Sequence, residues 1–175
     1  EQYNQTSIEF DWNTVNYVNK CYTKYKDQYE LYDFTDMLQC FIDESEVSCP
    51  KFDLVFLDEA QDLSPLQWDI AHILDKNAKK MYAAGDDDQA IYRWAGADVE
   101  QFITLDGSSE TLSQSYRVPR RIHRTAENIV SRIRSRYPKK YEPKDSEGCV
   151  SYVSSLDDID VSSGQWLILA QAGYI

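Results

Sequence analysis

Phe52-Asp53-Leu54-Val55-Phe56-Leu57 runs straight into Asp58-Glu59 with no turn residue between, and this junction constrains the fold more than any other feature of the chain. A short, nearly all-apolar run is the pattern of an interior strand in a parallel sheet covered on both faces. Carboxylates placed directly after it then lie at the strand's carboxyl end, where open α/β sheets hold their ligands. Ser64-Pro65 opens a helix, with serine as cap and proline at the first helical position, and Leu66, Ile70, Ile73 and Leu74 form its buried face. Lys80 to Ala84 reads as the next strand, ending at Gly85. Strand, helix and strand in this order predict an α/β fold with a parallel sheet.

The flanks are less sharply written. Residues 9–28 place Phe10, Val15, Tyr17, Val18, Cys21, Tyr22 and Tyr25 mostly at spacings of three and four, which predicts a helix with one buried stripe. A second helix is expected from Asp33 or Phe34 to about Asp43, capped by Asp33 and burying Phe34, Met37, Leu38, Phe41 and Ile42. Asp43 to Ser48 reads as a loop. Downstream, Val99 to Ile103 is a short helix, and Gly107-Ser108-Ser109 marks a turn. Thr111 to Ser115 reads as a strand leading into a long basic helix from about Pro119 to Arg136, with Ile122, Ala126, Ile129, Val130 and Ile133 turned inward. Cys149 to Val153 and Gln165 to Ala170 are further strand candidates. The expected domain boundary falls between Asp106 and Thr111.

A formal net charge of -12 argues against a chain that holds nucleic acid by its overall field. The charge is divided, however. From Tyr116 to Lys144 ten Lys and Arg face only Glu127 and Glu142. This stretch reads either as the solvated face of a charged helix or as one edge of a nucleic-acid channel. Cys21, Cys40, Cys49 and Cys149 stand far apart, without metal-ligand spacing, as expected of thiols in a reducing compartment. No stretch approaches the roughly 18 apolar residues of a membrane span, and Glu1-Gln2-Tyr3-Asn4 does not look like a signal peptide. The expected location is cytoplasmic, with no membrane partner.

Chemistry concentrates in three segments. In Leu57-Asp58-Glu59-Ala60-Gln61-Asp62, one carboxylate can hold Mg²⁺ through water while the other orients or deprotonates an attacking water. Acidic pairs after strands also arise as ordinary caps and turns. Gly85-Asp86-Asp87-Asp88-Gln89 follows the neighbouring strand and faces the same crevice, with Gln89 offering a donor and an acceptor to a phosphate or its attacking water. Beyond it, Tyr92, Arg93 and Trp94 supply groups that stack on bases and engage backbone phosphate, unless the two aromatics fill the core.

Taken together, these segments resemble the UvrD/Rep/PcrA-like branch of superfamily 1 DNA helicases. Leu57 to Gln67 is similar to the family's Walker B region, and Gly85 to Ala97 to the motif that joins its nucleotide site to its DNA groove. Leu112-Ser113-Gln114-Ser115-Tyr116-Arg117 resembles the motif opening the second motor domain, and Tyr32 to Leu38 resembles the family's Asp-Phe-x-Asp-Leu-Leu stretch. The resemblance implies partial RecA-like (P-loop NTPase) motor domains: residues 1–48 as a helical segment from an inserted subdomain, 49–108 as the later half of the first motor domain, and 109–175 as the start of the second.

It further implies ATP and Mg²⁺ as cofactors and single-stranded DNA and DNA junctions as partners, with movement 3′-to-5′. Asp58 would hold the Mg²⁺ shell, Glu59 would activate the hydrolytic water, and Gln89 would report the γ-phosphate to the DNA side. Tyr116 would stack on the adenine and Arg117 would neutralise charge on the transferred phosphoryl group. Tyr92, Arg93 and Trp94 would face the strand.

The chain also departs from the family's pattern. Ala95-Gly96 stands where the family often has Arg-Gly, and Ser115 where it often has Asn. No Gly-x-x-x-x-Gly-Lys-Ser/Thr loop occurs, so the groups that normally hold the β- and γ-phosphates are missing from these 175 residues. The chain is therefore expected to be an internal piece, inactive alone and prone to self-association through exposed edges. Two alternatives stay open: the motor of a helicase-nuclease, and a degenerate, non-hydrolysing DNA- or protein-binding module.

Overall fold

The computed structural model describes residues 11–167 and 169. The chain divides between Gly107 and Ser108 into two compact units, each a parallel β-pair with flanking helices. The fold is accordingly mixed α/β.

The first unit begins with α1 (Trp12–Tyr29), whose N-terminus is capped by Asp11 and whose last turn ends at Glu30 in the left-handed region, φ 53°. α2 (Phe34–Asp43) starts with a reciprocal capping box, in which the Asp36 N–H donates to Asp33 Oδ1 and the Asp33 N–H to Asp36 Oδ2, both at 2.9 Å. The predicted loop at 43–48 instead contains a one-turn helix, α3 (Ser45–Ser48). Its turn closes through backbone bonds from Val47 and Ser48 to the Glu44 carbonyl, and the Ser48 hydroxyl donates to that same carbonyl.

β1 (Phe52–Leu57) falls where the apolar run predicts it, and β2 (Ala78–Ala83) begins two residues earlier than expected. The two pair in parallel, Phe52 opposite Ala78 through Leu57 opposite Ala83, with α4 (Pro65–Lys76) as the crossover. Parallel pairing requires such a crossover, and the Ser64-Pro65 start supplies it. The Ser64 N–H and hydroxyl both donate to Gln67 Oε1, at 2.8 and 3.0 Å.

Burial differs from the sequence expectation. Among the described residues the buried apolar side chains are Ala60, Trp68, Ala71 and Val99, with Leu57, Leu63, Ala83, Phe102 and Leu105 packed against the first three. Leu66, Ile70, Ile73 and Leu74, predicted as the inner face of α4, are only half-buried, and Trp68 takes the central place. Its indole N–H donates to the Asp98 carbonyl at 3.1 Å, satisfying the one polar group that a buried tryptophan carries. Val15, Tyr17, Val18, Cys21, Tyr22 and Tyr25 of the expected α1 stripe are exposed, Phe10 lying outside the described residues; Phe34 and Met37 of α2 are exposed too, while Leu38, Phe41 and Ile42 are half-buried. β1 is not covered on both faces: Leu54 and Phe56 are exposed, with Phe56 stacked on Tyr82 at 5.4 Å. Among the described residues, α5 (Val99–Ile103) closes the first unit as predicted.

In the second unit, β3 (Gln114–Pro119) lies farther along than the predicted strand at 111–115, because its hydrogen-bonding partner is β4 (Glu142–Lys144), which the sequence pattern did not mark. α6 (Arg120–Val130) stops six residues short of the expected helix. Continuation would stack Arg132 over Arg136 at i, i+4, a like-charge pair, between helix-neutral serines. Ile122, Ala126, Ile129 and Ile133, expected inward, are exposed. Residues 149–153 form no strand, and the described residues of 165–170 likewise lie outside any strand, with Ile168 and Ala170 not among those described.

Candidate functional site

Backbone bonds carry the β1–β2 pairing past the strands' ends: the Ala84 N–H donates to the Leu57 carbonyl at 2.8 Å, and the Ala60 N–H to the Ala84 carbonyl at 3.0 Å. The two polar loops therefore leave the same edge side by side. Glu59 is held at φ 50°, ψ 41°, a left-handed conformation costing a non-glycine residue on the order of 1–2 kcal/mol. Its N–H is taken by Asp58 Oδ1 at 3.0 Å. Strain at the second carboxylate of the pair points to a use for its position.

Gln61, 1% exposed, ties the loops together. Its amide nitrogen donates to Glu59 Oε2 at 2.8 Å and, at longer range, to Asp62 Oδ2 at 3.4 Å, while its Oε1 accepts the Asp86 N–H at 3.0 Å. Asp86 in turn receives the Gln89 side-chain amide on Oδ2 at 2.5 Å and the Asp88 N–H on Oδ1 at 3.2 Å. Asp58 and Glu59 are exposed at one end of this chain of contacts, and Gln89 is exposed at the other. Glycine at 85 is required, since a Cβ there would lie 2.5 Å from Gln61 Oε1 and 3.2 Å from the Ala60 nitrogen. Gln61 has no role legible in the local sequence; the one signal it carries is its place directly after the alanine that follows the acidic pair, opposite a glycine exit.

Among the described residues, no three His, Cys, Asp or Glu side chains form a ready-made metal cage. Mg²⁺ bound with phosphates commonly takes only one or two carboxylates and keeps several waters. The exposed, adjacent Asp58 and Glu59 fit that donor set.

Following Gln89, the chain makes a single 3₁₀ turn, Arg93–Ala95, ended by Gly96 at φ 97°. Trp94 is 83% exposed, and Arg93 is paired with Glu100 at 3.3 Å. Tyr92 lines a groove of about 580 Å³ together with Phe34 and Leu38 of α2, Leu66 and Gln67 of α4, and Ala97. Phe34, expected from the sequence to be buried, is 86% exposed. Asp62 also borders the groove, and its Oδ1 is buried without a hydrogen-bond partner. Asp58, Glu59, Gln89, Tyr92, Arg93 and Trp94 thus all lie in the first unit. Tyr116 and Arg117 belong to the second, exposed on β3.

Among known proteins, the chain is similar to the ATP-dependent DNA helicase PcrA of Bacillus subtilis (strain 168), 31% identical over 123 residues that make up 67% of this chain and 16% of the relative. Against the protein of the same name from Staphylococcus epidermidis, identity is 26% over 165 residues, 87% of this chain and 23% of the relative. For that of Leuconostoc citreum it is 27% over 147 residues, 75% and 20% respectively. The chain therefore spans 16% to 23% of the length of these relatives. The profile of the UvrD/REP helicase N-terminal domain matches residues 1–110, which contain both polar loops and the aromatic turn. On that match, the chain belongs to the UvrD/REP helicase N-terminal domain family.

Proposed function

We propose that this chain forms part of an ATP-hydrolysing motor that moves along single-stranded DNA, 3′-to-5′, and engages DNA junctions. The observation that carries the reading is the tie between two polar loops at the carboxyl ends of paired parallel strands, with an exposed aromatic turn directly beyond the second.

In this reading Asp58 and Glu59 hold the hydrated Mg²⁺ that accompanies ATP, and the ion supplies charge neutralisation for phosphoryl transfer. Glu59 accepts the proton of the attacking water, and its fixed backbone sets the carboxylate's direction. Gln89 reaches the terminal phosphate from the neighbouring loop. Tyr116 is assigned to stacking on the adenine and Arg117 to the phosphoryl charge; both side chains are exposed on β3. On the strand side, Phe34, Tyr92 and Trp94 offer ring faces around and beside one groove, and each stacked base is worth roughly 1–3 kcal/mol. Arg93 supplies a backbone phosphate contact when it leaves Glu100, an exposed ion pair of little stabilising weight. No phosphate-holding Gly-x-x-x-x-Gly-Lys-Ser/Thr loop occurs within these 175 residues.

The test is Glu59→Gln in the intact protein that carries this chain. Steady-state ATP hydrolysis with saturating single-stranded DNA should fall by roughly 10²–10⁴-fold while ATP binding is retained, the range for losing a positioned general base. Hydrolysis at the wild-type rate would refute the assignment.

A further inference from the structure

Gln61 is the best-buried polar side chain of the described residues, and neither of its amide groups is spent on holding the core together. The nitrogen goes to the Glu59 carboxylate and the oxygen to the backbone of the opposite loop at Asp86. A burial this complete costs free energy unless both groups are satisfied, and here they are satisfied by two loops of the site. Its neighbours fit the same purpose. Gly85 gives up its Cβ so that the amide oxygen can pass, and Glu59 accepts a left-handed backbone that turns its carboxylate to the amide nitrogen.

From this geometry we infer that Gln61 is a positioning residue for hydrolysis, fixing the Glu59 carboxylate against the Asp86–Gln89 loop so that the water-activating and phosphate-sensing groups move as one body. The inference rests on the proposed ATPase function and deepens it. It assigns Gln61 no contact with ATP. It accounts for two loops 25 residues apart being joined through one side chain rather than through the strands alone.

Three variants of the intact protein test it, with ATP as substrate and single-stranded DNA as activator. Gln61→Met keeps the length of the side chain and removes its hydrogen bonds to Glu59, Asp62 and Asp86. Gln61→Glu keeps the acceptor for the Asp86 N–H but replaces the donor with a carboxylate that repels Glu59. Gly85→Ala keeps the glutamine but displaces its amide, since the added Cβ would lie 2.5 Å from Gln61 Oε1, as well as 3.0 Å from Phe102 Cζ and 3.2 Å from the Ala60 nitrogen. Each should lower kcat by roughly 10- to 100-fold, the scale of a displacement near 1 Å, with the KM for ATP held within about twofold. A merely structural glutamine would show the reverse pattern: lower melting temperature, unchanged kcat in the folded fraction. Folded Gln61→Met and Gln61→Glu proteins with wild-type kcat, or a loss lying wholly in KM, overturn the inference. Should neither Gln61 variant fold, Gly85→Ala decides, and a wild-type kcat there overturns it equally. Failure of the underlying reading is told apart by the controls. A wild-type protein without ATP hydrolysis sinks both, whereas hydrolysis lost in Glu59→Gln and untouched in the Gln61 and Gly85 variants sinks this inference alone.

Discussion

Trp68 and Trp94 show how far one residue type can be separated by its surroundings. Trp68 is fully buried with its indole N–H on the Asp98 carbonyl, and Trp94 projects from a short turn. Trp68→Ala should cost about 3–5 kcal/mol of folding stability through the cavity it leaves. Trp94→Ala should change thermal stability by no more than about 0.5 kcal/mol, as for other surface substitutions, and weaken single-stranded DNA binding by roughly 1–3 kcal/mol. Thermal melts and DNA titrations of both variants check this; a Trp94→Ala protein that melts like Trp68→Ala would place Trp94 in the core. Gln89 belongs to the same scale. Its amide is held by Asp86, so Gln89→Ala should leave DNA affinity nearly intact and weaken the stimulation of ATP hydrolysis by DNA. Hydrolysis rates measured across a DNA titration decide, and unchanged stimulation would remove Gln89 from the coupling.

At the scale of the element, α1 and α2 are joined by a clamp. Lys26 Nζ donates to Asp33 at 2.8 Å and to Asp36 at 2.6 Å, with the Lys26 side chain only 14% exposed, and the Tyr22 hydroxyl donates to Asp33 at 3.0 Å. The Lys26 hydrogen bond, helped by the Asp36 N–H, holds the Asp33 carboxyl well below the usual carboxylate range, while the two aspartates push Lys26 above the ordinary lysine value. A carboxyl depressed on folding stabilises fully above its unfolded pKa and loses that contribution as pH falls; a raised lysine does so fully below its own and loses it as pH rises. The clamp should therefore act from about pH 4 to about pH 10. The stability difference between wild type and Lys26→Met, followed by helicity on heating, should be constant near neutrality and shrink below about pH 4. A difference that persists unchanged through that acid range would show that the clamp is not electrostatic. Asp33 as a helix cap was legible from its place before an apolar run. Lys26 was not, because its partners lie seven and ten residues away across a turn whose path local sequence does not set.

On the scale of the whole molecule, the fully buried apolar set among the described residues is small, and Leu54, Phe56 and Tyr82 are exposed on a two-stranded sheet. Exposed strand edges and apolar faces favour association. The 175-residue chain by itself should sediment as a concentration-dependent mixture and melt with low cooperativity; a monodisperse monomer with a sharp, high-temperature transition would contradict this. It should also show no DNA-stimulated ATP hydrolysis, since no phosphate-holding loop occurs in it. Turnover by the purified chain that Glu59→Gln abolishes would overturn that expectation.

What the sequence determined by itself was local and periodic. The run 52–57 specified β1, Ser64-Pro65 specified the start of α4, and the acidic and glycine-led loops followed directly from where the strands had to end. Tertiary structure decided what depends on partners distant in the chain. Which residue of α4 became central was settled by an indole reaching the Asp98 carbonyl, 30 residues on. β3 was placed by β4, whose three residues carry no strand signal until paired. The bridge through Gln61 could not be read at all, because a glutamine's two amide groups acquire meaning only from the atoms that folding brings within hydrogen-bond distance.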